Sequence, residues 1–185
     1  MERNMRMTLM AAIALAMSAP VAAQEADLSA FKPGPVFADF GPHAPVEGLK
    51  PFEATTQFTI AFDVADKAAD GARNRGFESA ARFINMHVAA GVPESSIDIV
   101  VVVHGKAVLD LVIDEARAAR EMEPNASAAM VTAMLDKGVR FVVCGQSAAA
   151  YGVTNEQLIP DVQMELSAMT AHALLQQQGY TVNPF

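Results

Sequence analysis

The sequence predicts an α/β domain: a mostly parallel, five-stranded sheet flanked by helices, preceded by an irregular proline-rich arm. Three observations carry that expectation. Apolar runs of strand length, QFTIAFDVA, IDIVVVVHG and VRFVVCG, recur along the chain. The middle run is almost continuously apolar, as in a strand covered on both faces of a parallel sheet. Helical stretches separate the runs, which is the connection that parallel strands require.

The elements follow in chain order. MERNMRMTLMAAIALAMSAPVAAQ opens with Arg3 and Arg6, continues as an apolar run from Met7 to Met17, and reaches the small residues Val21-Ala22-Ala23. A basic start, a short hydrophobic stretch and small residues at −3 and −1 describe a secretory signal peptide over residues 1–23, cleaved after Ala23. The run is shorter than the roughly 20 residues needed to span a bilayer, so the expectation is export to the periplasm or beyond, with no membrane anchor afterwards.

Residues 24–55 read as the arm. Pro33, Pro35, Pro42, Pro45 and Pro51 block helix and central strand alike, while Phe31, Phe37, Phe40 and Phe52 imply that the arm lies on an apolar surface, its own domain or a neighbouring subunit.

Residues 56–185 form the α/β domain. QFTIAFDVA is the first strand, rich in β-branched and aromatic residues. GFESAARFINMHVAAGVP is a helix with Phe77, Ala80, Ile84 and Val88 on one face, Gly91 at its end and Pro93 beyond. IDIVVVVHG is the second strand. KAVLDLVIDEARAARE starts strand-like and ends helix-like, so helix is expected from about Asp114 only. NASAAMVTAMLDKG is a helix capped by Asn125 and ended by Gly138, and VRFVVCG is the third strand. Thr154 to Gln157, TNEQ, is a capping-box pattern opening a short helix. VQMEL, SAMTAHALLQQQG and YTVNPF complete the domain as strand, helix and strand.

The formal net charge is −8, and the leader would take two arginines and one glutamate with it, leaving a still more acidic chain. An acidic chain with no basic run is a poor partner for nucleic acid or anionic lipid. There is one cysteine. In an oxidising compartment it forms no internal disulfide, and is left to be buried, reactive or paired between chains.

In an open parallel sheet the binding crevice lies beyond the carboxyl ends of the strands. Strand one ends at Asp63, strand two at His104-Gly105-Lys106, and strand three at Cys144-Gly145-Gln146-Ser147. Cys144 is the sharpest candidate. A thiol between a core strand and a helix start meets unpaired backbone N–H groups, which favour thiolate, and His104 or Lys106 would lower its pKa further on approach. Gly145 removes bulk beside the sulfur. The competing reading is a small hydrophobe closing a core strand. His104 satisfied by backbone, Lys106 as a solvated charge and Asp63 as a loop cap are the corresponding structural readings. His87 is assigned no role, and His43 and His172 stand isolated. The N-A-S sequon at Asn125 is a chance match in a bacterial export. The sequence supplies no glycine-rich phosphate loop, no nucleophile elbow and no metal-ligand spacing, so neither a cofactor nor a metal is expected.

Four blocks together, FINMHVAAGVP (83–93), VVVHGKA (101–107), GVRFVVCGQSAAAYGV (138–153) and LSAMTAHALLQQQGY (166–180), resemble the DsrE/DsrF-like family. The resemblance implies that family's three-layer parallel-sheet fold and homo-oligomers, commonly trimers or hexamers. It also implies a cysteine, here Cys144, that carries sulfane sulfur as a persulfide between a donor and an acceptor protein. The expected function is an exported sulfur carrier in which His104 and Lys106 tune the thiolate and Gln146 and Ser147 supply hydrogen bonds. Two alternatives stand beside it: a non-catalytic oligomeric binding or assembly module, and a redox-sensing thiol.

Overall fold

The computed structural model describes residues 27–184; the leader read over residues 1–23 lies outside them. The strands are β1 (Phe58–Val64), β2 (Ile97–Val103), β3 (Arg140–Cys144), β4 (Gln163–Glu165) and β5 (Thr181–Asn183). The helices are α1 (Arg75–Ala89), α2 (Asp114–Ala118), α3 (Ala128–Asp136), α4 (Gly145–Ala150) and α5 (Ala168–Gln177). The sheet order is β4-β3-β2-β1-β5, and every neighbouring pair is parallel. The sheet is therefore wholly parallel where a mostly parallel one was expected.

Strand alternation divides the core into two layers. On one face Phe62, Val64, Ile99, Val101, Val103, Phe141 and Val143 pack beneath α1 and α3. On the other, Ala61, Val100 and Val102 pack against Ala171, Leu175 and Tyr180, from α5 and the residues after it. Residues Val100 to Val103 are wholly buried because β2 lies central and covered on both sides, which is what its unbroken apolar run required. Beside the second layer, Arg140 donates to the Tyr180 hydroxyl, which donates to Asp98. Burial and that bond to Asp98 push the Tyr180 phenol up to about 12.

The arm lies on its own domain. Phe37 and Phe40 are buried in the first layer with rings stacked 4.9 Å apart. Asn85, fully buried on α1, holds them there. Its Oδ1 accepts from the Phe37 and Val36 amides at 2.9 and 3.2 Å, and its Nδ2 donates to the carbonyls of Phe37, Phe40 and Gly41. Gly34 permits this contact, since a Cβ there would sit 1.9 Å from Asn85 Cγ.

Two local expectations need correction. Asn125 is not the cap of α3; Ser127 occupies that position, while the Asn125 side chain turns inward to the carbonyls of Asp110 and Val112. It is also 8% exposed, with both bonds buried. The Thr154 capping box forms, but it opens only a single 3-10 turn at Asn155–Gln157, since Ile159 must bond back to Leu111. Helix does begin at Asp114, preceded by a 3-10 segment, Gly105–Leu111, whose buried Ala107, Val108 and Leu111 account for the strand-like residues there.

Candidate functional site

The site lies at the carboxyl rim of the sheet, on the face covered by α5. Val102 and Val142 point to that face, so two residues further on His104 and Cys144 point there too, beside Asp63 of β1. Both retain extended backbone, with φ/ψ of −143/−171° at His104 and −71/114° at Cys144, so the alternation is not broken at the strand ends. Val103 pairs with Val143 in register, and the next residues are therefore neighbours across the β2–β3 seam.

Cys144 ends β3 and is also the N-cap of α4, its sulfur accepting from the Ser147 amide at 3.5 Å. Cys144 is 6% exposed. Burial raises its pKa, but hydrogen bonds from the Ser147 side chain and amide, and from the Ala168 and Gln146 amides, outweigh this and hold it below the usual thiol value. Ser147 Oγ in turn accepts from the Gly105 amide at 3.0 Å, tying the β2 loop to the thiol's helix. The donors acting on the sulfur are thus polar groups of α4 and the α5 start.

Gly145 has a different purpose from the one its position suggested. A Cβ there would come 2.9 Å from the Glu165 carbonyl oxygen and 3.3 Å from that of Leu166. The missing side chain makes room for the chain's own β4–α5 connection, not for an incoming partner. The α5 start follows this connection, and its Ala168 amide is among the donors that lower the thiol's pKa. The Gln146 side chain closes the same seam, donating to the Leu166 carbonyl at 3.2 Å.

His104 does not bond the thiol. Its Nε2 lies 3.1 Å from Asp63 Oδ2. The other carboxylate oxygen, Oδ1, takes His172 Nε2 at 2.7 Å. Burial raises the Asp63 pKa, and the two histidines more than reverse this, keeping it ionised below the usual carboxylate range. His172 was not foreseen, because it lies 109 residues from Asp63 and sequence spacing gives no hint of the pairing. The one legible signal is that His172 follows Ser167-Ala168 by about one helical turn, on the strand-facing side of α5. Lys106 is exposed, with no partner among the described residues. The structure thus brings together Cys144, Gln146 and Ser147 at one point, and Asp63, His104 and His172 at an adjoining one, and leaves Lys106 outside both. Among the described residues no group of three or more His, Cys, Asp or Glu side chains is arranged to hold a metal ion.

Two cavities adjoin the rim and the arm. One of about 410 Å³ runs from Asp63 along the β1–α1 loop past Lys67, Arg73 and Asn74. The other, about 340 Å³, lies between the arm and α1 against Phe52, Met86 and His87.

No curated protein matches the chain. Among solved structures it is similar to a protein of unknown function from Methanobacterium thermoautotrophicum, at 18% identity and a TM-score of 0.48, over 70% of this chain and 100% of that one. The model of the DsrE/DsrF-like family matches residues 58–184. That interval holds all five strands and every residue of the rim, and on this match the chain belongs to the DsrE/DsrF-like family.

Proposed function

We propose that this protein is an exported sulfur carrier that holds sulfane sulfur as a persulfide on Cys144. Family membership supports a role related to sulfur metabolism. The observation that carries the finer reading is the set of hydrogen-bond donors converging on a single buried sulfur and lowering its pKa. A thiolate so stabilised attacks the outer sulfur of a persulfide or polysulfide donor, and the same donors then hold the charged terminal sulfur. Ser147 and Gln146 contribute to that cradle. Lys106 is free to steer an anionic donor toward the rim.

The thiol's low exposure requires that a donor be brought to it. Leu166 and Met169, 67% and 80% exposed beside the rim, support docking of a donor or acceptor protein, or of further copies in a trimer or hexamer. The leader over residues 1–23 supports action outside the cytoplasm.

The test is incubation with inorganic polysulfide followed by peptide mass spectrometry. The Cys144 peptide gains the mass of one or more sulfur atoms, removable by dithiothreitol; no gain at Cys144 refutes the reading. A second reading, a non-catalytic assembly module with a structural thiol, is favoured by the burial of Cys144. It predicts that iodoacetamide labels Cys144 only after denaturation.

A further inference from the structure

Asp63 sits between two histidines, and the two are not equivalent. A carboxylate only accepts, so both rings carry their proton on Nε2 and keep Nδ1 as the exchangeable nitrogen. His172 Nδ1 is sealed from solvent and has no hydrogen-bond partner. A proton placed there would be a buried donor with nothing to bond, at the full desolvation cost. The His104 side chain is 32% exposed against 16% for His172. His104, with the more exposed ring, is therefore the member of the pair placed to exchange a proton with an incoming molecule, and His172, its Nδ1 enclosed and unpartnered, is the member that serves only to bond Asp63.

His104 is also the residue that follows the strand pair next to Cys144. Parallel neighbours lie about 5 Å apart, and His104 and Cys144 are the residues immediately after the Val103–Val143 pair. The Gly105–Ser147 hydrogen bond closes the two loops on each other just beyond. Two further charges lie near the seam: Glu165, opposite Cys144 on β4, has its carboxylate turned onto the Leu166 amide, and Lys106, two residues after His104, is exposed with no partner among the described residues. The thiolate is already stabilised by amides and Ser147, so a base for the thiol is not what the site lacks. A proton source for the departing group is.

We propose that His104 donates the proton to the group leaving in reactions at Cys144, that Asp63 holds it in the required tautomer, and that His172 is the positioning residue anchoring Asp63. For its natural substrate the proposal rests on the sulfur-carrier reading. The step balances without an oxidant. His104 holds on Nδ1 a proton taken from solvent; the thiolate sulfur bonds to the outer sulfur of a donor R–S–SH; the donor's S–S bond breaks; RS⁻ leaves and takes the His104 proton as RSH. Cys144–S–SH and neutral His104 remain.

Two small reagents separate proton delivery from everything else. Methyl methanethiosulfonate and dimethyl disulfide both place the same methylthio group on Cys144. The first expels a weakly basic sulfinate that needs no proton, the second a strongly basic methanethiolate that does. His104→Gln keeps an N–H for Asp63 but carries no exchangeable proton near neutrality. It is expected to slow dimethyl disulfide about 100-fold, and methyl methanethiosulfonate by less than about twofold. His172→Gln is expected to slow the disulfide alone, by about tenfold. The thiosulfonate rate is the internal control for fold and access. Equal slowing of both reagents by His104→Gln, or slowing of neither, overturns the proton-donor role, and the same result for His172→Gln overturns its positioning role. A protein that shows the split but takes no sulfur from polysulfide removes the carrier reading alone. One that takes sulfur but shows no split removes this inference alone.

Discussion

Ser147→Ala removes one of the hydrogen-bond donors on the Cys144 sulfur while adding no bulk, and leaves the Gly105 amide without its acceptor. Hydrogen bonds to charged groups contribute about 1.5–3 kcal/mol net. Sulfur is a weak acceptor, so the low end applies, and about 1.4 kcal/mol corresponds to one pKa unit. The thiol's folded pKa lies below its unfolded value, so the unfolded chain binds more protons between the two. The thiolate's contribution to stability is therefore present above the unfolded thiol pKa, roughly 8.5, and is lost as pH falls through the folded one. Ser147→Ala narrows that window from below. The assay is the pH dependence of Cys144 modification by methyl methanethiosulfonate. The midpoint is expected to rise by about one unit, with a matching loss of rate on the acid side and an unchanged plateau at high pH. A midpoint that stays in place, or a loss of plateau rate without a shift, refutes the view that Ser147 ionises the thiol.

Other positions give independent tests. Gly145→Ala forces a Cβ to within 2.9 Å of backbone, and is expected to cost about 1–3 kcal/mol in thermal unfolding, with the β4–α5 connection displaced from the sulfur. Asn85→Ala strands the buried carbonyls and amides of the arm; it is expected to lower stability to urea by about 3–5 kcal/mol and to open residues 34–41 to limited proteolysis. Asp63 is held ionised by its histidines, so its contribution is present above the ordinary carboxylate pKa, about 3.9, and is lost as pH falls through the lower folded value. Asp63→Asn is expected to lower the urea midpoint at neutral pH and flatten its decline below about pH 4.

Local sequence carried the elements well because periodicity and turn chemistry are local physics. The unbroken apolar run of β2 required cover on both faces, and the cluster Phe77, Ala80 and Ile84 required a helix packed on the sheet. The strand ends could then be read off, which put Asp63, His104 and Cys144 at one rim. Side-chain partners across the rim were not legible. Whether His104 faces the thiol or Asp63 depends on register and on the placement of α5, and His172 enters only through tertiary packing. Gly145 shows the same limit: a glycine next to a thiol reads as space for a ligand, and only the packed chain reveals that Glu165 already fills it. Asn85 lay unnoticed in a helical stretch because a buried amide declares itself only through the arm it holds.

The sulfur-carrier account is tested most directly by cyanide-labile sulfur after polysulfide loading and desalting. With its single cysteine, the protein is predicted to release close to one equivalent of thiocyanate per chain, and the Cys144→Ala variant none. Equal release from both proteins, or none from either, would contradict it.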